Sequence, residues 1–235
     1  MTQGYLQDKN QLTTFHNFSN ETTSLPENKY VVLERQAGMI KSKVTGGLYL
    51  ERNSMLNRVE SRGPNGVGSF SYVTDSTLHS FISIGPRTTV GGVEHPLDWL
   101  STHCFQWGQN KNYYGVSEEL LANFDFFDKP KAKATVIESD VWIGANAVVT
   151  SGVTIAVGSV LGAGSVLTKD TKPYGIYVGN PARLIRYRFS DNTIMSLLAS
   201  EWWELPIQFL LTLNFQDIDD CVQKISLFST RNSTK

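Results

Sequence analysis

The sequence lacks several features that would assign it to particular classes of protein. Only two cysteines occur in 235 residues, Cys104 and Cys221, so a disulfide framework is excluded and reduced thiols are expected. No apolar run approaches the roughly 20 residues of a membrane-spanning helix. Lys+Arg (21) and Asp+Glu (22) nearly cancel, which disfavours nucleic-acid binding. The N-terminus has neither a basic start nor an apolar run, so no signal peptide is predicted and a cytoplasmic location is expected.

What the sequence does contain is a repeat of six residues. From residue 137 an aliphatic residue returns every six positions, and a small residue or valine stands four positions after each of the first five. The aliphatic positions are Ile137, Ile143, Val149, Ile155, Leu161 and Leu167. A period of six fits side chains that alternate along strands and does not fit the 3.6-residue period of an α-helix. Glycine often follows the aliphatic residue, as at Gly144 and Gly162, where the chain is expected to bend.

This period predicts an all-β core built as a left-handed parallel β-helix. Three hexads form one triangular turn of about 18 residues, with the aliphatic side chains pointing inward. A weaker six-residue pattern begins at Val44, slips by one residue around positions 62–66 and slips again before Leu78. The two blocks together predict four to five turns.

Three segments fall outside the repeat. Residues 92–133 have no hexads and many aromatic residues, and they are predicted to form an active-site loop extruded from one corner, with a short helix at 117–123. Residues 183–235 show helical spacing after a capping motif at Ser190, which predicts a helical cap over the open end of the coil. Residues 1–43 have no clear period. The expected organisation is therefore an unassigned N-terminal segment, a β-helix domain over 44–182, and the C-terminal cap.

Several motifs resemble those of a known family. Residues 141–146 (VWIGAN), 161–170 (LGAGSVLTKD) and 178–189 (VGNPARLIRYRF) are similar to the hexapeptide-repeat acyltransferases. Residues 94–102 (EHPLDWLST) and the Trp202-Trp203 pair resemble its xenobiotic acetyltransferase branch, which includes the type B chloramphenicol and streptogramin acetyltransferases. Bacterial surface-polysaccharide O-acetyltransferases are similar as well.

The resemblance implies an acyl-CoA-dependent O-acetyltransferase that works as a homotrimer, with active sites between neighbouring subunits and no metal. Acetyl-CoA would be the co-substrate. His95 matches the loop histidine of the family, which would act as general base. An imidazole titrates near neutral pH, so the neutral ring can accept a proton under working conditions. Asp98 or Glu94 could orient this ring.

The same resemblance assigns residues to acetyl-CoA. Ala145 and Ala163 lie 18 residues apart, one full turn, and their small side chains would let the pantetheine arm approach the backbone. Polar and cationic side chains would lie near the nucleotide, where positive charge suits phosphates. These positions are Thr168, Lys169, Arg183 and Arg186.

The acceptor is expected to contact the aromatic loop. Side chains that could stack on a sugar ring or a drug ring, or pack against a neighbouring subunit, are Trp99, His103, Trp107 and Tyr113. We expect a hydroxyl of a bacterial surface-polysaccharide sugar or its precursor, with a chloramphenicol- or streptogramin-type antibiotic as the alternative.

Two other functions would use the same coil, but the sequence disfavours both. A γ-class carbonic anhydrase needs zinc-binding histidines that include a pair five residues apart, and His16, His79, His95 and His103 contain no such pair. A non-catalytic trimeric scaffold would not need both the histidine loop and the cationic positions.

Overall fold

The computed structural model of the protein describes residues 31–107, 115 and 117–232. Short strands make up the coil, and helices lie in the loop and at the C-terminal end. The strands are β1 (Val31–Leu33), β2 (Gly38–Ile40), β3 (Lys43–Val44), β4 (Leu48–Leu50), β5 (Met55–Ser61), β6 (Asn65–Val67), β7 (Tyr72–Leu78), β8 (Ile82–Ile84), β9 (Thr89–Val90), β10 (Thr135–Ile137), β11 (Trp142–Ile143), β12 (Val148–Val149), β13 (Thr154–Ile155), β14 (Val160–Leu161), β15 (Val166–Leu167), β16 (Gly175–Gly179) and β17 (Ala182–Tyr187). The helices are α1 (Glu118–Ala122), α2 (Asp191–Ser200), α3 (Ile207–Leu210) and α4 (Ile218–Asn232), with 3-10 turns at Cys104–Trp107 and Trp202–Glu204.

These strands form the three faces of a parallel β-helix, which confirms the predicted fold class. The first face runs β1, β4, β6, β8, β11, β14 and β16, each parallel to the next. β5 and β7 each contribute to both of the other two faces, because each strand bends at a residue with positive φ. This residue is Arg58 (56°) in β5 and Asp75 (50°) in β7. The first halves pair along a face that ends at β15, and the second halves pair along a face that ends at β13.

Strand register explains the irregular repeat in the first half of the chain. Partners on successive turns are 17 residues apart upstream, as for Leu48 and Asn65, and 18 apart downstream, as for Trp142 and Val160. A 17-residue turn shifts the hexad phase by one position, so the predicted slips are confirmed. The predicted four to five turns counted the chain from Val44 onward, and β1, which lies upstream, brings the first face to seven parallel strands. The missed strands β1 and β2 lie in residues 31–43, where the phase shift hides the pattern.

The core of the coil is the column of inward aliphatic side chains. Ile143, Ile155 and Leu167 are almost completely buried, whereas Trp142, the residue before Ile143, points outward and is 57% exposed. Burying one such aliphatic side chain contributes about 1.5–3 kcal/mol, so the column is the main source of stability of the coil. The hexad pattern thus reports the inward face directly.

Close backbone approach explains the glycine that follows the inward aliphatic residue. A Cβ added to Gly144 would lie 2.5 Å from the backbone nitrogen of Ala163 on the next turn. A Cβ on Gly85 would lie 2.6 Å from the nitrogen of Ala145. At Gly85 and Gly144 the corner after the first face is therefore closed by backbone packed on backbone, and glycine leaves the space for it.

The C-terminal end is covered by β17 and the helices. β17 folds back antiparallel on β16, and Ser190 caps α2 by accepting a hydrogen bond from the Thr193 amide at 3.3 Å. Residues of α2 and α4 pack around Tyr174, which is 1% exposed. The predicted helical cap is confirmed.

The predicted domain boundaries fall inside paired strands. Position 44 lies in β3, and position 183 lies in β17. Strands β1 and β2, upstream of position 44, already pair with the coil, and residues 1–30 lie outside the described residues.

Candidate active site

The loop that carries His95 leaves the coil after β9. Partners across this insertion, such as Ser83 and Trp142, are 59 residues apart instead of 17 or 18. Gly91 (φ 75°) and Gly92 (φ 123°) form the bend at which the chain leaves the coil. A Cβ on Gly91 would lie 2.1 Å from the Thr74 carbonyl oxygen. The chain therefore departs through a bend that a side chain would block.

His95 is exposed on this loop and its orientation is defined by two contacts. Its Nδ1 makes a short hydrogen bond with the backbone carbonyl of Thr102. Its ring packs edge-on against Trp107, with centroids 5.4 Å apart. A carbonyl oxygen only accepts, so Nδ1 carries the hydrogen and Nε2 of the neutral ring holds the free lone pair.

Neither of the two carboxylates that could orient His95 contacts its ring. Among the described residues, neither Asp98 nor Glu94 forms a hydrogen bond or ion pair with His95. Both side chains are exposed, so water competes for them. The Thr102 carbonyl takes the orienting position instead.

Aromatic side chains surround the imidazole. Trp99 lies 6.3 Å from Trp107 and 5.2 Å from Phe127, measured between ring centroids, and both tryptophans are half-buried. The structure therefore brings His95, Trp99 and Trp107 into one cluster, which joins the outgoing and returning ends of the loop. Tyr113 lies outside the described residues.

His103 stands close to this cluster in the chain but faces another partner. It is exposed, its ring lies 6.0 Å from that of Phe105, and its Nδ1 accepts a hydrogen bond from the Phe105 amide at 3.3 Å. A role in contacting the acceptor stays a prediction.

Ala145 and Ala163 stack at the corner that follows the first face. The Ala145 carbonyl accepts a hydrogen bond from the Gly164 amide at 2.8 Å, which fixes the two turns against each other. Ala145 is half-buried and Ala163 is exposed, and a Cβ on Gly164 would meet nothing within 4 Å. The corner therefore presents nearly bare backbone, with room for an extended chain beside it.

The four remaining predicted residues lie at the C-terminal end of the coil. Thr168 and Lys169 follow β15, the last strand of its face, whereas Arg183 and Arg186 stand on β17 opposite Val178 and Ile176. All four side chains are exposed. Within the described ranges none of the three cations forms an ion pair with a carboxylate. Their charge is therefore available to an anion, although two different faces carry it.

Two shallow cavities line the coil, and neither includes a residue of the His95 cluster. One, about 320 Å³, is lined by the exposed Trp142, by Phe81 and by the Asp140–Arg188 pair. Burial raises the pKa of Asp140, and the Arg188 guanidinium, 2.7 Å from its carboxylate, opposes that shift. The other, about 250 Å³, lies beside Arg58 and Asp75.

No hydrogen bond or ring contact of His95 reaches Ala145 or Ala163 within one chain.

Comparison with known families agrees with the parallel β-helix and its six-residue repeat. Residues 134–169 match the model of the bacterial transferase hexapeptide family (six repeats). This match covers the segment with the clearest hexads, so the resemblance to the hexapeptide-repeat transferases is confirmed.

Known proteins with similar sequences include antibiotic acetyltransferases. A chloramphenicol acetyltransferase of Klebsiella aerogenes is 39% identical over 134 residues, which cover 56% of this chain and 60% of that protein. A probable macrolide acetyltransferase of Lysinibacillus sphaericus is 38% identical over 122 residues, which cover 52% of this chain and 64% of that protein. The matched part of the chain thus spans less than two thirds of these relatives.

A solved structure shares the fold. The crystal structure of AntD, an N-acyltransferase from Bacillus cereus in complex with dTDP and 3-hydroxybutyryl-CoA, has a TM-score of 0.54 at 16% identity. The match covers 73% of this chain and 86% of that one. Likeness at this identity concerns architecture alone.

Neither a metal-binding cluster nor a membrane-spanning helix occurs among the described residues. No group of three or more His, Cys, Asp or Glu side chains there lies close enough together to hold a metal ion. None of the helices in the described ranges is long and apolar enough to cross a membrane.

Proposed function

We propose that the protein is an acetyl-CoA-dependent O-acetyltransferase with His95 as general base. The observation that carries this proposal is the hydrogen bond between His95 Nδ1 and the Thr102 carbonyl, because it leaves Nε2 as a fixed, exposed proton acceptor. The relatives named as acetyltransferases support the reaction class.

The reaction balances with this one residue as proton carrier. Nε2 takes the proton of the acceptor hydroxyl while the acceptor oxygen attacks the thioester carbonyl carbon. The new C–O bond forms, the C–S bond breaks, and the imidazolium returns its proton to the sulfur of the departing CoA. The products are an acetyl ester and free CoA thiol.

Acetyl-CoA fits the corner formed by Ala145 and Ala163. The pantetheine arm would lie along this nearly bare backbone, and its phosphates would meet Lys169, Arg183 and Arg186 beyond the last turns. Since no hydrogen bond or ring contact joins His95 to this corner within one chain, we propose that the loop of one subunit lies against the corner of its neighbour in a homotrimer. A trimer brings such surfaces together by cyclic symmetry.

If the predicted cations bind the phosphates of acetyl-CoA, their removal should raise KM for acetyl-CoA. Replacing Lys169 and Arg183 together with alanine is expected to raise KM for acetyl-CoA about tenfold or more, because charge-assisted bonds to phosphate are lost, while KM for the acceptor stays within twofold. Steady-state kinetics with each substrate varied in turn measures this. Lys131→Ala, an exposed lysine on the returning end of the loop, is the matched control. Equal changes in both KM values would contradict the assignment.

Two acceptor classes remain as proposals. A surface-polysaccharide sugar fits stacking on Trp99 and Trp107, and a chloramphenicol- or macrolide-type antibiotic fits the same tryptophans. The names of the relatives favour the antibiotic. A thiol-release assay with acetyl-CoA, run across chloramphenicol, macrolides, streptogramins, oligosaccharides and nucleotide sugars, tests both, with mass spectrometry of the product. No release of CoA thiol with any acceptor would reject the enzyme and favour the non-catalytic scaffold. The cytoplasmic location stays a prediction.

A further inference from the structure

The buried amide of Gln106 connects the two sides of the peptide segment that orients His95. Gln106 is 7% exposed, whereas the side chains next to it in the loop are exposed or half-buried. Its Nε2 donates to the Ser101 carbonyl and, at 3.2 Å, to the His103 carbonyl. Thr102, whose carbonyl holds His95 Nδ1, lies between these two residues.

The chemistry of the contacts fixes the orientation of this amide. Both partners are backbone carbonyls, which only accept, so the NH₂ group and not the amide oxygen must face them. A primary amide carries two donor hydrogens, one for each carbonyl. The side chain therefore ties the peptide before Thr102 to the peptide after His103, and the Thr102 carbonyl has little freedom to rotate.

The backbone of Gln106 is anchored in turn. Its carbonyl accepts a hydrogen bond from the Phe127 amide at 2.9 Å, and the Phe127 ring is tilted against the Trp99 ring, with centroids 5.2 Å apart. The Ser101 hydroxyl accepts from the His103 amide at 3.1 Å, which closes a tight turn around Thr102. The outgoing and returning ends of the loop are thus joined at the residue that holds the turn.

We propose that Gln106 is a positioning residue that keeps His95 in the Nδ1–H tautomer, by fixing the peptide that carries the Thr102 carbonyl. This inference rests on the proposed function, in which Nε2 is the base. If the Thr102 carbonyl turned away, either ring nitrogen could carry the hydrogen, and a ring protonated on Nε2 could not accept the proton of the acceptor.

Replacement of Gln106 by methionine tests this role, since methionine has similar size and no donor. Gln106→Met is expected to lower kcat about tenfold or more, because part of the population has its Nε2 blocked, while KM for acetyl-CoA stays within twofold. The ¹⁵N chemical shifts of the His95 ring, assigned with a His95→Gln variant, should show Nδ1–H in the wild type and a mixture of tautomers in the variant.

Matched variants separate positioning from folding. Gln223→Met makes the same change at an exposed position of α4 and is expected to leave both kcat and the His95 shifts unchanged. Gln106→Glu keeps the shape of the side chain, and its ionised carboxylate donates nothing, so it should reproduce the loss of Gln106→Met. If only the methionine variant lost thermal stability, the glutamate variant would still decide the question.

The outcomes distinguish this inference from the proposed function. Unchanged kcat and unchanged ring shifts in Gln106→Met would overturn the positioning role even in an active enzyme. Altered ring shifts in Gln106→Met would support the positioning role. If none of the tested acceptors gave release of CoA thiol, the proposed function would be rejected while the positioning role still stood.

Discussion

Replacing His95 with alanine is expected to lower kcat at least about a hundredfold while acetyl-CoA binding and the oligomeric state stay unchanged. A general base contributes about 10²–10⁴ in rate. The side chain is exposed and outside the coil, so its loss should not affect folding. Steady-state kinetics, calorimetric titration with CoA, and light scattering measure the three quantities.

Two variants control for this result. His95→Asn keeps a donor that can bond to the Thr102 carbonyl but has no basic nitrogen, so it should be as inactive as His95→Ala if the ring acts as base. His79→Ala removes an imidazole that follows β7 at a corner of the coil, outside the proposed mechanism, and should keep full activity. Undiminished turnover in His95→Ala would remove this residue from the mechanism.

The coil could be predicted from the sequence because its signal is local and periodic. Each inward side chain, such as Ile143 or Ile155, occupies an equivalent position in a turn of fixed length, so the pattern reports burial directly. Strands β1 and β2 of the first turn escaped prediction because a 17-residue turn shifts the six-residue pattern by one position in every turn. β17 escaped as well, since its six residues are mostly exposed and have no buried stripe.

The candidate site could be predicted only in part. His95 carries a motif, whereas its orienting partner is the backbone carbonyl of Thr102, and a backbone group leaves no trace in the sequence. Asp98 and Glu94 were candidates for this role because acid–imidazole pairs are common in active sites, yet both side chains are exposed. The sequence gives only a weak indication of the role of Gln106, which is a polar residue between two aromatic ones. Its burial and its hydrogen bonds to two backbone carbonyls show that it holds the turn.

Substituting Gly144 with alanine is expected to destabilise the coil by about 1–3 kcal/mol, the usual cost of overpacking a close contact. The new Cβ would lie 2.5 Å from the Ala163 nitrogen, 2.9 Å from its Cα and 3.0 Å from the Gly162 carbonyl carbon. All three atoms are backbone, so no side chain can move aside and the turns themselves must separate. The Gly144 amide donates to the Leu161 carbonyl at 2.7 Å, and this bond would lengthen with the separation.

Gly66→Ala is the matched control, because Gly66 lies on the same face in β6 and its added Cβ would meet nothing within 4 Å. Both substitutions reduce the freedom of the unfolded chain by a similar amount, so the difference between them isolates the clash. Urea unfolding should place the midpoint of Gly144→Ala well below that of the wild type and the midpoint of Gly66→Ala at or slightly above it. Equal midpoints for the two variants would mean that the turns can separate around the new Cβ without a loss in the free energy of unfolding. In that case the glycines at this corner, such as Gly144, would not be a packing requirement. The bare corner beside Ala145 and Ala163 would then need another physical explanation, with room for a pantetheine chain the first to test.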